Sequence, residues 1–410
     1  MAPVKNALII GGGIGGPVAA MALRKAGIES TVYEAYDDTA DGVGAMLTVA
    51  PNGLDALRII GADKSVQAIG LPMKDLNMMD GKGRTMGAFR ALAGLPPSRS
   101  VWRSDLHRAL RDVATAQGVR IEYGKRLVRV DERPDGVVAF FADGSTADGN
   151  VLVGADGIHS TVRSLIDPQA PGPSTVPLLN FGAVADYSVP GAASDAVYFV
   201  FGRRAFFGYW LQPDGTTAWY ANVPHHARMT AAEARRTPPS EWLRRLQEIY
   251  ADDVPGRDLA GHTRADRLSA FGTNAIMPSV PHWYRDRMVL VGDSAHAPSP
   301  SSGQGASQAM ESAVQLARCL RDIPDLGSAF AAYEGLRRGR VERIAARAAR
   351  TNDSKSYGPV AKTMMRLMMP LATKTFLTAE KTLGPEQRYR IDWDAPVTGE
   401  TPVPVPNRRT

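Results

Sequence analysis

Between Leu290 and Ser307 the chain reads LVGDSAHAPSPSSGQGAS, and four consecutive residues of it carry Asp293, Ser294 and His296. These are the side-chain types of a nucleophilic hydrolase, a serine activated by a histidine that an aspartate orients. The same stretch is dense in Gly, Pro and Ser, the composition of a loop that holds a cofactor with its backbone. Spacing rejects the hydrolase. Triad members converge from separated elements, and no Gly-x-Ser-x-Gly elbow surrounds Ser294. His296 reads as a packed or loop-bonded histidine. The seven histidines show no metal-ligand spacing, so no metal is expected.

A second stretch points to a nucleotide. GGGIGG places Gly11, Gly13 and Gly16 as Gly-x-Gly-x-x-Gly. The first glycine permits a tight turn, the second lets backbone approach a pyrophosphate, and the third lets a helix pack close to a sheet. The flanking elements are in register for that task. Ala7 to Ile10 reads as a buried strand, Pro17 to Ala26 as a helix closed by Gly27, and Ser30 to Tyr33 as a second strand. Glu34 ends that strand, where an acid accepts from a ribose 2′-hydroxyl and repels a 2′-phosphate. FAD and NAD both suit these residues; NADP does not.

Further along, helical patterns cover Pro51 to Gly61 and Arg103 to Gln117, with an irregular strand-like region from Met73 to Phe89 between them. Val128 to Phe141 reads as two strands and Val151 to Val153 as a short one. From Pro177 to about Arg267 aromatics crowd into short alternating runs, a β-sheet interrupted by one helix, Pro239 to Tyr250. A strand at Met288 to Val291 then leads through the opening loop into a helix from Gln304 to Arg321, and a long helix spans Ala329 to Arg350. The C-terminal GPVAKTMMRLMMPLATKTFL is interrupted by Lys362, Arg366, Pro370 and Lys374. It reads as an amphipathic helix covering the pocket or the cofactor domain, not as a membrane contact.

The 410 residues allow two or three domains, and 44% hydrophobic with 22% charged residues are ordinary for a globular protein. A net charge of +6 is not organised for nucleic acid. Arg337, Arg338, Arg340, Arg343, Arg347 and Arg350 recur at helical spacing and read as a solvated face. The single cysteine, Cys319, excludes an intrachain disulfide and reads as a packed thiol. The apolar run in MAPVKNALIIGGG is too short for a signal peptide, and nothing reaches a spanning length, so the chain reads as cytoplasmic.

Three stretches together carry a family resemblance: GGGIGG, VLVGADGIHSTVRS at Val151 to Ser164, and RMVLVGDSAHAPSPSSGQG. In content, order and separation they resemble the fingerprints of class A FAD-dependent monooxygenases, the family of para-hydroxybenzoate hydroxylase. The resemblance implies an α/β fold in which a Rossmann-like FAD-binding domain is interleaved with a β-sheet substrate domain and followed by a helical C-terminus. Residues 1–72, 100–175 and 276–350 would bind FAD, and 73–99 with 176–275 would bind substrate. Residues 351–394 would be helical, and 395–410 a Pro-rich disordered tail.

Carried over by residue, the resemblance implies that Gly11, Gly13, Gly16 and Glu34 hold the ADP half of FAD. Arg103 would contact the flavin nucleotide, with Leu106 and Leu110 behind it. Asp156, Gly157 and Arg163 form the family's Asp-Gly motif, implicated in FAD and NADPH binding. Asp293 would bond the ribityl chain, and Pro300, Gly303, Gln304 and Gly305 would lie beside the isoalloxazine ring, with Gly44 to Thr48 on its other side. Ser299 and Pro300 stand where the family pattern shows two prolines. The implied reaction takes FAD, O2 and NADPH or NADH, and hydroxylates an aromatic through a flavin C4a-hydroperoxide. Epoxidation and Baeyer–Villiger insertion share that chemistry. An FAD oxidase or dehydrogenase, or a non-catalytic FAD-binding protein, is the alternative of another class.

Phe201 to Pro224 is the expected substrate wall. Alternation puts Phe207 and Tyr209 on one face and Phe206, Gly208 and Trp210 on the other, and leaves open which one meets the pocket. Arg203, Arg204, Phe207, Tyr209, Trp210, Trp219 and His225 are the substrate candidates. Abundant aromatics without a carboxylate-binding cluster favour an apolar or polycyclic aromatic substrate. Of 48 basic residues 38 are Arg, usage that fits a GC-rich bacterial gene serving secondary metabolism. A monomer or weak homodimer is expected.

Overall fold

A computed structural model describes residues 4–37, 46–277, 280–355 and 359–398. Its first sheet has six strands in the order Tyr284–Arg285, Met288–Leu290, Val151–Gly154, Asn6–Ile10, Glu29–Tyr33 and Arg120–Glu122. Ala7 stands opposite Val151 on one side and Ser30 on the other, both in parallel register. Only the two-residue strand Tyr284–Arg285 runs antiparallel. Parallel strands are covered on both faces and so read as unbroken apolar runs; Leu8, Ile9, Leu152, Val153 and Val289 are all buried. The helices Gly15–Lys25 and Gly305–Asp322 pack against each other beside this sheet.

The second sheet has seven strands, ordered Thr263–Ile276, Ser174–Ala185, Thr217–Pro224, Phe206–Leu211, Ala196–Phe201, Asp75–Asp80 and Thr85–Arg90. All its pairs are antiparallel except Ala196–Phe201 with Asp75–Asp80. Side chains alternate across it, and the two faces have different fates. Phe181, Phe207, Tyr209 and Trp219 form one core with Trp242, Leu246 and Tyr250 of the helix Pro239–Tyr250. Val197, Trp210 and Ala218 form another with Met46, Met73, Phe199 and Tyr220. Met46 belongs to the strand Met46–Val49, which joins Ser98–Trp102 and Leu71–Met73 in a small sheet between the two large ones. Gly44 and Ala45, the start of the segment expected near the flavin, lie outside the described residues.

Three expectations need correction. The arginine-rich helix, Leu326–Lys355, keeps only part of that face in solvent: Arg343 and Arg350 are exposed, but Arg337 is fully buried and Arg340 is 8% exposed. The reason is an acid on the neighbouring helix. Glu311 is fully buried and accepts from Arg337 Nη1 at 2.5 Å and from Arg340 Nε at 2.8 Å. The C-terminal helix, Pro359–Thr375, lies against the edge strand Thr85–Arg90, where Thr373 packs over Gly87. Finally, the start of the tail is held. Arg318 Nη2 donates to the Ala395 carbonyl at 2.7 Å, and the Val397 N–H donates to Asp322 at 2.9 Å. Residues 399–410 lie outside the described residues.

No helix among the described residues is long and apolar enough to cross a membrane.

Candidate active site

The glycine turn is built by backbone crowding. Gly11 has φ +106°, and a Cβ there would sit 2.5 Å from the Ala155 carbonyl oxygen. A Cβ on Gly16 would stand 1.9 Å from the Gly11 carbonyl oxygen. Gly13 differs: a Cβ added to it would meet nothing within 4 Å. The outer two glycines therefore serve the fold and the middle one keeps a surface clear. Glu34 Oε2 accepts from the Gly12 N–H at 2.6 Å, and Oε1 accepts from the Tyr36 N–H at 3.0 Å. His107, which sequence reasoning passed over, bonds the Gly12 carbonyl through Nε2 at 2.6 Å. It ties the turn to the helix Arg103–Ala116.

The loop from Leu290 to Gly305 follows the strand Met288–Leu290, two places from Asn6–Ile10 in the same sheet. Ser294 Oγ accepts from the Val291 N–H at 3.1 Å and lies 2.6 Å from the Gly154 carbonyl oxygen. His296 Nε2 bonds Ser312 Oγ at 2.9 Å, and burial together with the Arg337 charge pushes its pKa down to about 3. Neither serves the other, so no triad exists.

Asp293 is different. It is exposed, although Gly292, Ser294, Ala295 and His296 around it are buried. The surrounding protein raises its carboxyl pKa while the charge of Arg103 lowers it. Asp293 and Arg103 thus come within electrostatic reach of each other from two separated elements.

Pro300 begins a 3-10 turn, Pro300–Ser302, that ends at Gly303 with φ +61°. Ser299 Oγ donates to Asn352 Oδ1 at 2.9 Å and fastens this turn to the long helix. Gln304 points its side chain inward, accepting from Asn52 Nδ2 at 2.9 Å. Asn52 also donates to Glu311 at 2.6 Å, so the loop rests on the buried Glu311 cluster.

The Asp-Gly motif is occupied differently from its neighbours. Asp156 accepts from Ser160 Oγ at 2.5 Å and from the Thr161 and Val162 N–H groups at 2.7 and 3.1 Å, the pattern of a helix start. Arg163 donates to the Ile158 carbonyl at 2.7 Å and the Ser294 carbonyl at 3.0 Å. It clamps two loops together. Gly157, Gly303 and Gly305, like Gly13, face open space, where an added Cβ meets nothing within 4 Å. Clear backbone at four separate glycines, with an exposed aspartate among buried residues, is room the protein does not use for its own packing. The residues present fit a dinucleotide.

The substrate candidates divide. Arg203 and Arg204 are held elsewhere. They lie on the turn between two strands, exposed, and pair with Asp252 at 3.0 and 3.6 Å. Phe207, Tyr209 and Trp219 are corrected as well, because the helix Pro239–Tyr250 claims their face. The Phe207 and Tyr250 rings meet edge-on at 4.9 Å, and Trp219 Nε1 donates to Thr263 Oγ1 at 3.0 Å. Trp210 looks the other way, toward Met46 and Met73, and its buried Nε1 has no hydrogen-bond partner among the described residues. His225 stands just past a strand end, its N–H on the Pro177 carbonyl at 3.0 Å.

The face shared with Trp210 also carries residues the sequence reading did not select. Phe199, Phe206 and Tyr220 lie edge-on or tilted to one another at 5.6 to 6.4 Å. Gly208 makes room for the Tyr220 ring, which would come within 2.5 Å of a Cβ there. A row of amides crosses the same face. Asn222 Nδ2 and Asn274 Nδ2 donate to Asn180 Oδ1 at 2.7 and 2.9 Å. Asparagine is poor in strands, so its presence inside PLLNFGAVA and AWYANVP was the available signal.

Comparison with known proteins agrees with this geometry. The FAD binding domain family matches residues 5–347. An FAD-dependent urate hydroxylase of Klebsiella pneumoniae is 30% identical over 354 residues, 85% of this chain and 90% of that protein. Aurachin C monooxygenase/isomerase of Stigmatella aurantiaca is 31% identical over 340 residues, 82% and 85% of the two chains. The structure of Klebsiella pneumoniae HpxO complexed with FAD and uric acid superposes with a TM-score of 0.81 at 24% identity, covering 93% of this chain and 97% of that one. With its clear glycine backbone and Asp293 and Arg103 brought within electrostatic reach, the chain belongs to the FAD binding domain family and is an FAD-dependent monooxygenase of the aromatic hydroxylase class.

Proposed function

We propose that this monooxygenase hydroxylates an apolar, extended aromatic molecule held against the Trp210 face of the seven-stranded sheet. One observation carries the reading. The face free of the helix Pro239–Tyr250 presents Phe199, Phe206, Trp210 and Tyr220, while the two arginines suited to a carboxylate, Arg203 and Arg204, are paired with Asp252 elsewhere. Aromatic walls favour a large π surface.

Gly11, Gly13 and Gly16 with Glu34 would hold the ADP half of FAD. Arg103 and Asp293 would bind its central part, and Pro300 with the backbone of Gly303, Gln304 and Gly305 would flank the ring system. Asp156 and Gly157 would shape that site through the helix start they form. FAD, when bound, accepts electrons from NAD(P)H and activates O2. The chain orients the aromatic ring, excludes water with the Phe199–Trp210 wall, and offers the unpaired N–H groups at the start of the helix Gly305–Asp322 to negative charge. We further place the protein in the cytoplasm as a monomer or weak homodimer.

The experiment is NADPH and NADH oxidation by the FAD-loaded protein against phenols, indoles, polycycles and small benzoates, with product masses. Fast oxidation and an added oxygen with polycycles are expected. Stimulation by small benzoates alone overturns the reading.

A further inference from the structure

We propose that Lys355 anchors the substrate by receiving the acidic oxygen of a phenol or enol, so that the extended aromatic molecule enters the reaction with that oxygen deprotonated. This rests on the aromatic-substrate reading above and adds a functional group to it. Lys355 ends the helix Leu326–Lys355, three residues after Asn352, and so lies on the same side of that helix. Asn352 holds Ser299 of the cofactor loop. Lys355 Nζ donates to Asn222 Oδ1 at 2.7 Å and stands 4.4 Å from the centre of the Phe206 ring. It therefore sits between the loop assigned to the flavin and the sheet face assigned to the substrate, 7% exposed.

A tether alone does not account for it. An ammonium buried among aromatics is costly unless a counter-charge meets it, and among the described residues its polar contact is a neutral amide. Its own helix presents Thr351 and Asn352 one turn back, and the adjoining strands present Asn222, Phe206 and Tyr220. Tyr220 is the titratable group among these, and burial raises its pKa. Burial alone pushes the Lys355 amine down to about 7, with no acid among the described residues opposing it.

A phenolic O–H placed there supplies the missing anion. The O–H bond breaks, its electron pair stays on oxygen, and the proton completes the ammonium. The resulting pair lies in an apolar wall where its attraction is little screened. The phenolate in turn enriches the ortho and para carbons, the positions an electrophilic oxygen attacks. The amide row Asn222, Asn180 and Asn274 fixes the acceptor that orients Nζ.

The test compares 4-nitro-1-naphthol with 1-nitronaphthalene, bound to the FAD-loaded protein and followed by difference spectra from acidic to neutral pH. In the wild type the bound naphthol should ionise at a pH at least about one unit below its value in free solution. Lys355→Met should abolish that shift and weaken naphthol binding at least about tenfold, leaving 1-nitronaphthalene binding unchanged. Lys355→Arg should retain the ionised form. Flavin content reports folding, and Lys355→Gln replaces Lys355→Met if that variant fails to load. Naphthol bound by the wild type without a shift, or equal losses for both compounds in Lys355→Met, overturns the anchor and spares the aromatic pocket. If neither compound binds the wild type, the aromatic pocket falls and the anchor with it.

Discussion

Replacing Glu311 with Gln should unsettle the molecule more than any surface charge could. Glu311 is fully buried and receives Arg337 Nη1 at 2.5 Å, Arg340 Nε and Nη2 at 2.8 and 2.9 Å, and Asn52 Nδ2 at 2.6 Å. The amide keeps the shape and removes the charge, leaving two buried guanidiniums to share a neutral oxygen. Breaking a buried ion pair costs about 3–5 kcal/mol. For a chain of this length the unfolding entropy is about 0.8–0.9 kcal/mol/K if it unfolds as one unit, so melting should fall by about 4–6 °C. The pH dependence has a definite sign. Burial raises the Glu311 carboxyl pKa, but Arg337, Arg340 and Asn52 outweigh it and hold the group below its ordinary value. A lowered native pKa means stability that is present above the unfolded value and lost as pH falls through the native one. The wild type should therefore lose stability on acidification more steeply than Glu311→Gln. Thermal melts of both proteins, with FAD present, from neutral pH down to below the ordinary carboxyl range provide the measurement. A variant melting within about 1 °C of wild type at neutral pH, or sharing its acid slope, would refute the ion-cluster reasoning.

Gly16→Ala should fail to fold or load, because the added carbon meets the Gly11 carbonyl at 1.9 Å, whereas Gly13→Ala should melt normally and lose FAD affinity; flavin fluorescence titration separates them. Arg203→Ala should keep kcat/KM within about twofold, since an exposed pair such as the one with Asp252 contributes about 0–1 kcal/mol. Phe207→Ala should cost about 3–5 kcal/mol of stability in denaturant melts, with KM little changed, because its ring packs on Tyr250 on the helix-covered face. Asp293→Asn should weaken FAD retention in equilibrium dialysis without lowering apoprotein stability, since the protein around Asp293 already disfavours its charge.

The cofactor half was legible because its signals are local. Gly11, Gly16 and Gly303 are dictated by backbone conformation and contact, and Leu8, Ile9 and Val153 by burial on both faces of a parallel sheet. Pro239–Tyr250 could be read to the residue from its periodicity and its proline start. The substrate half was not legible in the same way. Alternation separates Phe207 from Phe206 but does not say which face a helix arriving thirty residues later will cover. Arg337 and Arg340 could not be recognised as buried from their own helix, because the compensating Glu311 lies on another. Lys355 and Asn222 stand 133 residues apart and meet only in the fold. Asp156 shows the opposite difficulty: its motif was visible, yet the hydrogen bonds of a helix start account for its carboxylate.

The long helix Leu326–Lys355 touches the buried cluster through Arg337 and the proposed substrate face through Lys355, a separation of about 27 Å at 1.5 Å per residue. Substitutions that far apart with no shared partner are expected to act additively. One end can consequently drift under selection for new substrates while the other, constrained by Glu311, preserves the cofactor seat. Such a rod divides the chain into a part that sequence change can explore and a part that it cannot, and diversification of substrate in this scaffold would be expected to concentrate at the helix's final turn and the strands it meets.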